Sequence, residues 1–276
     1  MTEQNRSSSI EIVNTEIPRG TAQVALFDFD GTLSLIRRGW QQVMLSYFVD
    51  VLESLGTGES RTSLSRLVSE FVAHLTGKQT IYQTIRLAEE VEKRGHTALE
   101  PLAYKHEYNS RLWEIIRSRV EGLEAGTEDP ENWLLPGSRA ILENLKNRGI
   151  RLYLASGTDY EFVLKEARLL QIDHYFDGGI FAALDQYKKF SKAMLIRQIF
   201  ADYNLSGSQL VGFGDGYVEI ENTKEVGGIA VGVASNEQTC LGTDEWKRSR
   251  LLKAGADIII PEFRAQAELL NYLLIN

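Results

Sequence analysis

"VALFDFDGTLS", residues 24–34, decides how this chain is read. Four apolar residues, Val24 to Phe27, run directly into Asp28 and Asp30, with Gly31 and Thr32 immediately after. A short apolar run bounded by turn-forming residues has the length of a strand buried on both faces. Paired carboxylates at the end of such a strand repel one another unless another group compensates their charge. The rest of the chain must therefore supply what meets them there.

Five further apolar runs follow residue 133: "IRLYLAS" (150–156), "GGIFAA" (178–183), "QLVGFGD" (209–215), "IAVGVAS" (229–235) and "ADIII" (256–260). Helical or loop segments separate them, the pattern of an α/β protein with a parallel sheet and crossover helices. Residues 34–133 read differently. Ile36, Trp40, Met44, Tyr47, Val51 and Leu55 recur at helical steps before Gly56. Leu64, Leu67, Phe71 and Leu75 do so before Gly77, and Ile81, Ile85, Ala88 and Val91 before Gly95. Thr97 with Glu100 has capping-box spacing and opens a fourth helix through Leu112, Ile116 and Val120, with Pro101 in its first turn. Trp40 and Trp113 fall on the apolar stripes and are expected inside this helical block. The organisation is a flexible tail over 1–18, a sheet-forming core over 19–33 and 134–276, and a helical insertion over 34–133. Within the tail, "IEIV" can add a strand at one sheet edge.

The chain has 276 residues, 43% of them hydrophobic, enough for a sizeable core. A net charge of −8 and a pI near 5.2 argue against a general nucleic-acid or anionic-membrane surface. Cys240 is the single cysteine and has no internal disulfide partner. The polar start "MTEQNRSSSIEIVN" lacks the apolar run of a secretory signal, and no stretch approaches the roughly 18 apolar residues of a membrane helix. A cytoplasmic protein is the expectation. His74, His96, His106 and His174 show no metal-ligand spacing and read as ordinary helix or loop residues.

Ligands of open parallel sheets bind beyond the carboxyl ends of the strands. Three of those ends carry useful chemistry: Asp28 and Asp30, then Ser156-Gly157-Thr158, then Asp215 with Glu219 one turn further. Carboxylates gathered in one crevice call for a hard divalent cation, and an oxygen-only donor set favours Mg²⁺ over zinc. With a cation present, one carboxylate can attack phosphorus and another can move protons. Gly31 lets the backbone approach a phosphate, with its amide aimed at an oxygen. Each piece alone is commonplace, since Asp-X-Asp caps helices and Ser-Gly-Thr or "GDG" makes turns. Their recurrence at successive strand ends is the signal.

"DFDGTL", "LASGT", a downstream lysine and "GFGDGYVEIEN" resemble the four motifs of the haloacid dehalogenase (HAD) superfamily of phosphatases. "LLPGSRAILENLKNRGIRLYLASGT" is similar to the approach to the second motif in phosphoglycolate- and phosphoserine-phosphatase-like members. The resemblance implies a Rossmann-like, three-layer α/β core with an α-helical cap between the first and second motifs. It implies Asp28 as a nucleophile forming an aspartyl-phosphate and Asp30 as the acid and base. Gly31, Thr32, Ser156 and Gly157 would bind the phosphoryl group. Mg²⁺ would be held by Asp28, the carbonyl of Asp30, Asp215 and Glu219, the last directly or through water. For the lysine, "QYKKFSKAMLIRQI" offers Lys188, Lys189 and Lys192; Ser191 as N-cap and Lys192 in the first turn favour Lys192.

Substrate contacts are expected from "LTGKQT" (75–80), through Lys78 and Gln79, and from Arg37 and Arg38, where the chain leaves the core. The plainer alternative is that Gly77 ends a helix and these side chains face water. The expected function is Mg²⁺-dependent hydrolysis of a small phosphorylated metabolite. A phosphomutase and a catalytically silent binding domain are the alternatives. Haloacid dehalogenation is disfavoured, because those members resemble this pattern without the second aspartate. Substrate and oligomeric state stay open.

Overall fold

The computed structural model describes residues 10–275. In chain order its elements are β1 (Glu11–Ile12), β2 (Val24–Phe27), α1 (Trp40–Glu53), α2 (Arg61–Leu75), α3 (Thr80–Lys93) and α4 (Pro101–Glu124). Then come α5 (Ser138–Asn147), β3 (Arg151–Asp159), α6 (Tyr160–Leu169), β4 (Gly179–Ala183), α7 (Lys192–Tyr203) and β5 (Leu210–Gly214). The chain closes with α8 (Tyr217–Glu225), β6 (Ile229–Val233), α9 (Glu245–Lys253), β7 (Ile258–Ile260) and α10 (Gln266–Leu274).

The sheet order is β1-β7-β6-β5-β2-β3-β4, and every pairing is parallel except β1 with β7. β2 lies between β3 and β5, where the strand order reverses, the place at which open α/β sheets leave a crevice. Alternation along β2 serves both layers. Val24 and Leu26 pack with Leu195, Ile196 and Ile199 of α7, whereas Ala25 and Phe27 join the larger core on the opposite face. There Phe27 stacks on Phe213 of β5 with ring centroids 4.4 Å apart. The ends of β2 and β5 are thereby locked side by side, which sets the spacing of Asp28 and Asp215.

Within the expected tail, "IEIV" does add a strand at the sheet edge, and residues 10–18 as a whole are held to the sheet and not loose. β1 pairs antiparallel with β7, Ile10 and Ile17 are buried, and the Asn14 amide donates to Asp257 at 2.8 Å. Burying two isoleucines while covering an open sheet edge outweighs the freedom of the segment. The rest of that tail lies outside the described residues.

The four helices α1–α4 stand between β2 and β3, and their apolar faces join the same core as the sheet. α1 begins at Trp40 rather than Ile36, because Gly39 turns left-handed at φ 99° and Ile36 is buried in the preceding turn. The Thr97–Glu100 capping box does not form: α4 starts at Pro101 and Glu100 caps it without a side-chain bond. Proline is already set for the first helical position, where its missing N–H costs nothing. Trp113 is not interior but lies 36% exposed, with the Lys165 ammonium over its ring. Among the described residues no helix is long and apolar enough to cross a membrane.

Candidate active site

Asp28 follows β2 directly, its N–H donating to the Phe213 carbonyl at 2.9 Å. Its carboxylate is buried and accepts from the Lys192 ammonium at 2.6 Å. Ser191 caps α7, accepting from the Met194 N–H at 3.1 Å, and so sets Lys192 at the first helical position, aimed at the strand ends. The same ammonium donates to Glu219 in the first turn of α8. Burial, aided by Glu219 and Asp215, outweighs Lys192 and pushes the Asp28 carboxyl well above the usual carboxylate range. Burial opposes the Lys192 charge, but Asp28 and Glu219 outweigh it and hold the amine protonated.

Asp30 is fixed by the second strand end. Thr158 donates its hydroxyl to Asp30 Oδ2 at 2.8 Å and Ser156 does so at 3.4 Å. Ser156 in turn accepts from the Thr158 N–H at 3.0 Å. These residues were expected just past a strand; β3 instead runs on to Asp159, with a break in register between Ser156 and Asp159 that turns the two hydroxyls toward Asp30. Asp30 Oδ1 is buried without a hydrogen bond and lies 4.0 Å from Arg37 Nε. Burial, against Arg37 and Thr158, raises the Asp30 carboxyl.

Asp215 follows β5 and meets a lysine that the motifs did not announce. Lys247 of α9 donates to Asp215 Oδ2 and to Glu237 Oε1, each at 2.7 Å, and to Ser235 Oγ at 3.1 Å. Ser235 then donates to the Gly31 carbonyl at 2.8 Å. Ser235 and Glu237 stand just beyond β6, so the strand-end argument that found Ser156 could have found them. Lys247 carried no local signal beyond its place three residues after the helix cap Asp244.

The strand ends form the floor of a cleft open to solvent, whose opposite wall comes from the helical block. Trp40, expected in the interior of that block, is half-buried in the cleft wall. Gly77 and Lys78 dock the 75–80 loop on the core: a Cβ at Gly157 would collide with the Lys78 carbonyl, and one at Gly77 would press on Glu219 and Val218. On the wall Arg37 is pinned by Glu166, donating from Nη2 at 2.7 Å and from Nε at 3.0 and 3.2 Å.

Of the residues expected at the site, Asp28, Asp30, Ser156, Gly157, Lys192 and Asp215 line this one cleft. Arg37 and Lys78 line it as well. Gly31 is close, since a Cβ there would strike the Asp215 carboxylate, but its N–H donates to the Ser34 carbonyl at 2.9 Å and is not free for a phosphate. Thr32 is fully buried, its hydroxyl unpartnered and away from the cleft. Both lose the expected role because the tight turn after Asp30 consumes their backbone and side-chain space. Glu219 sits behind Lys192, outside the cleft lining, and so anchors the ammonium. Gln79 spends its amide on the Tyr187 and Phe190 carbonyls, and Arg38 donates to the Glu237 carbonyl. Lys188 and Lys189 are exposed on a short turn.

Among the described residues no three His, Cys, Asp or Glu side chains group into a ready-made metal shell. The floor nonetheless suits a hard cation. Asp28 and Glu219 share the Lys192 ammonium, and Asp215 and Glu237 share that of Lys247; burial and this excess of carboxylate keep Asp28 from ionising easily. Two cleft carboxylates with main-chain and water oxygens are a donor set that Mg²⁺ accepts.

A family model described as haloacid dehalogenase-like hydrolase matches residues 22–227, more than half of the chain. No curated protein matches it. Among solved structures, a predicted phosphoglycolate phosphatase from Haemophilus somnus 129pt is 17% identical with a TM-score of 0.59, covering 90% of this chain and 98% of that one. A predicted phosphatase from Clostridium acetobutylicum is 17% identical with a TM-score of 0.55, with the same 90% and 98% coverage. A β-phosphoglucomutase from Clostridium difficile is 17% identical with a TM-score of 0.54, covering 84% and 98%. At such identities these structures share the fold. With the family match spanning both the first motif strand and the strand before Asp215, the chain belongs to the haloacid dehalogenase-like hydrolases and is an enzyme of that family.

Proposed function

We propose that the protein is a Mg²⁺-dependent phosphatase of the cytoplasm that hydrolyses a small phosphate monoester through an aspartyl-phosphate. The observation that carries the reading is the pairing of a buried Asp28, held at 2.6 Å by Lys192, with Asp30 two residues on, whose carboxyl burial keeps protonated more readily than usual.

Lys192 orients one Asp28 oxygen and leaves the other for attack on phosphorus, while its charge offsets that of the phosphoryl oxygens. Ser156 and Gly157, on the cleft side of β3, bind those oxygens. Asp30, with its raised pKa, gives a proton to the departing oxygen; once ionised, it takes one from the water that cleaves the acyl phosphate. Thr158 and Ser156 hold its carboxylate in place through both steps. Asp28, the Asp30 carbonyl and Asp215 would hold Mg²⁺, which when bound neutralises the carboxylates and draws charge from the phosphoryl group. Lys247 keeps Asp215 aimed into the cleft by occupying only its Oδ2.

Turnover of p-nitrophenyl phosphate tests this. Activity should require Mg²⁺, disappear in excess chelator and return on adding the ion. Undiminished activity in chelator would overturn the metal assignment, and absence of turnover with Mg²⁺ would overturn the phosphatase reading.

A further inference from the structure

The helical wall of the cleft, which faces whatever is attached to the phosphate, is polar, and its buried charges are paired within the protein. Arg37 is neutralised by Glu166. Lys105, buried on α4, is spent on Asp159 at 2.5 Å, and Asn109 donates to the same carboxylate at 3.3 Å. Lys78, exposed at the mouth, is the one lining cation without an ion pair among the described residues.

What the wall offers instead is unspent hydrogen-bonding capacity. Gln83 of α3 is 97% buried, being 3% exposed, and its Oε1 has no partner. Its Nε2 donates to the Leu75 carbonyl at 3.3 Å, which fixes the orientation, because the flipped amide would set two carbonyl oxygens against each other. The unsatisfied atom is thus an acceptor, and only a donor can satisfy it. Thr80, one turn earlier on the same face, and Tyr108 of α4 have hydroxyls that make no hydrogen bond among the described residues. Burial keeps the Tyr108 phenol protonated, so it can donate or accept. Trp40 adds a flat apolar surface beside them.

We propose that this wall reads a neutral, polyhydroxylated leaving group, making the substrate a sugar or polyol phosphate, with Gln83, Thr80 and Tyr108 as the residues that recognise its hydroxyls. A carboxylate cannot donate to Gln83 and meets a floor already rich in carboxylates. An ammonium could donate, but Asp159, the lining carboxylate that the wall contacts, is already shared by Lys105 and Asn109. This inference rests on the phosphatase reading for its turnover test, and a binding measurement frees it from that dependence.

Glycerol 3-phosphate and 3-phosphoglycerate differ only in a hydroxymethyl against a carboxylate, which makes them the matched probes. With Mg²⁺, kcat/KM should favour glycerol 3-phosphate by about tenfold or more, the value of one well-placed hydrogen bond together with avoided repulsion. Phosphoethanolamine should rank with the acid. Gln83→Leu should lower the ratio of glycerol 3-phosphate to p-nitrophenyl phosphate turnover by about fivefold to tenfold, and Tyr108→Phe should lower it less. Equilibrium binding of the three natural-type esters to the Asp28→Asn protein should show the same order without turnover. Preference for 3-phosphoglycerate or phosphoethanolamine, in turnover or in binding, would overturn the proposal, as would an unchanged ratio in both variants. If p-nitrophenyl phosphate is not hydrolysed but the binding order holds, the phosphatase reading falls and the specificity stands.

Discussion

At and beneath the floor of the cleft four carboxylates, those of Asp28, Glu219, Asp215 and Glu237, compete for two lysines, whereas in the wall the charges of Arg37 and Lys105 are cancelled by Glu166 and Asp159 within the protein. The floor is therefore an unfinished electrostatic assembly that a cation and a phosphoryl group complete. The wall, apart from Lys78 at its mouth, is finished in charge and unfinished in hydrogen bonds. Chemistry common to every phosphate ester belongs to the first, and discrimination between esters belongs to the second. Variants in the floor should lower turnover of esters with similar leaving-group pKa alike, and variants in the wall should change their ranking.

Asp28→Asn is the strongest way to break the floor, and it should lower turnover by more than about 10⁴-fold on every ester, as expected for loss of a nucleophile. Asp30→Asn should cost about 10²–10⁴-fold through lost proton transfer, with slow-leaving alcohols hit harder than p-nitrophenolate. Lys192→Ala should cost about 10²–10³-fold, far more than Lys188→Ala or Lys189→Ala, whose side chains are exposed. Steady-state kinetics on two alkyl esters of similar leaving-group pKa reads all three; a floor variant that alters the ratio between those two would erase the division.

Lys247→Met tests the floor as structure. Asp215 and Glu237 would face each other with no cation between them, a loss expected to lower stability by about 1–3 kcal/mol in chelator. Calorimetry should show a lower Tm for the variant, and an unchanged Tm would remove Lys247 from the assembly.

The smallest effect is one of pH on the wall. Burial, against Arg37, pushes the Glu166 carboxyl up to about 7. As pH falls through that value Glu166 takes a proton, Arg37 loses its counter-charge, and acidic leaving groups gain. The ratio of 3-phosphoglycerate to glycerol 3-phosphate turnover should rise about two- to fivefold, the scale of a partly screened ion pair. Glu166→Gln should raise the ratio at pH 8 and flatten its pH dependence. The same raised value means that the folded protein keeps a proton the unfolded chain has lost between the ordinary 4.5 and about 7, so this group's contribution to stability declines across that window as pH rises.

The two regions also differ in how far they could be read in advance. The floor announces itself because each piece is local: an apolar strand, then its polar end. Lys192 was separable from Lys188 and Lys189 because a serine cap fixes where a helix starts. Gly31 and Thr32 were misread for a related reason, as residue type does not reveal that a tight turn has already consumed an amide and enclosed a hydroxyl. In the wall, Lys105, Tyr108 and Asn109 share a face of α4 by spacing alone, yet nothing local says that this face looks at a cleft. That depends on how α3 and α4 pack against a sheet distant in sequence. Gln79 beside Gln83 makes the point: both are buried with an unpartnered Oε1, but Gln79 spends its NH₂ on the 187–190 backbone, whereas Gln83 donates to Leu75 and lines the cleft.

The most direct test of the central claim is to mix the Asp30→Asn protein, Mg²⁺ and a labelled phosphate ester, quench in acid within a single turnover, and locate the label by peptide mass spectrometry. The account predicts covalent phosphate on Asp28 alone, and none in an Asp28→Asn/Asp30→Asn double variant. Label on another residue, or turnover of the ester with no covalent phosphate at any time, would contradict it.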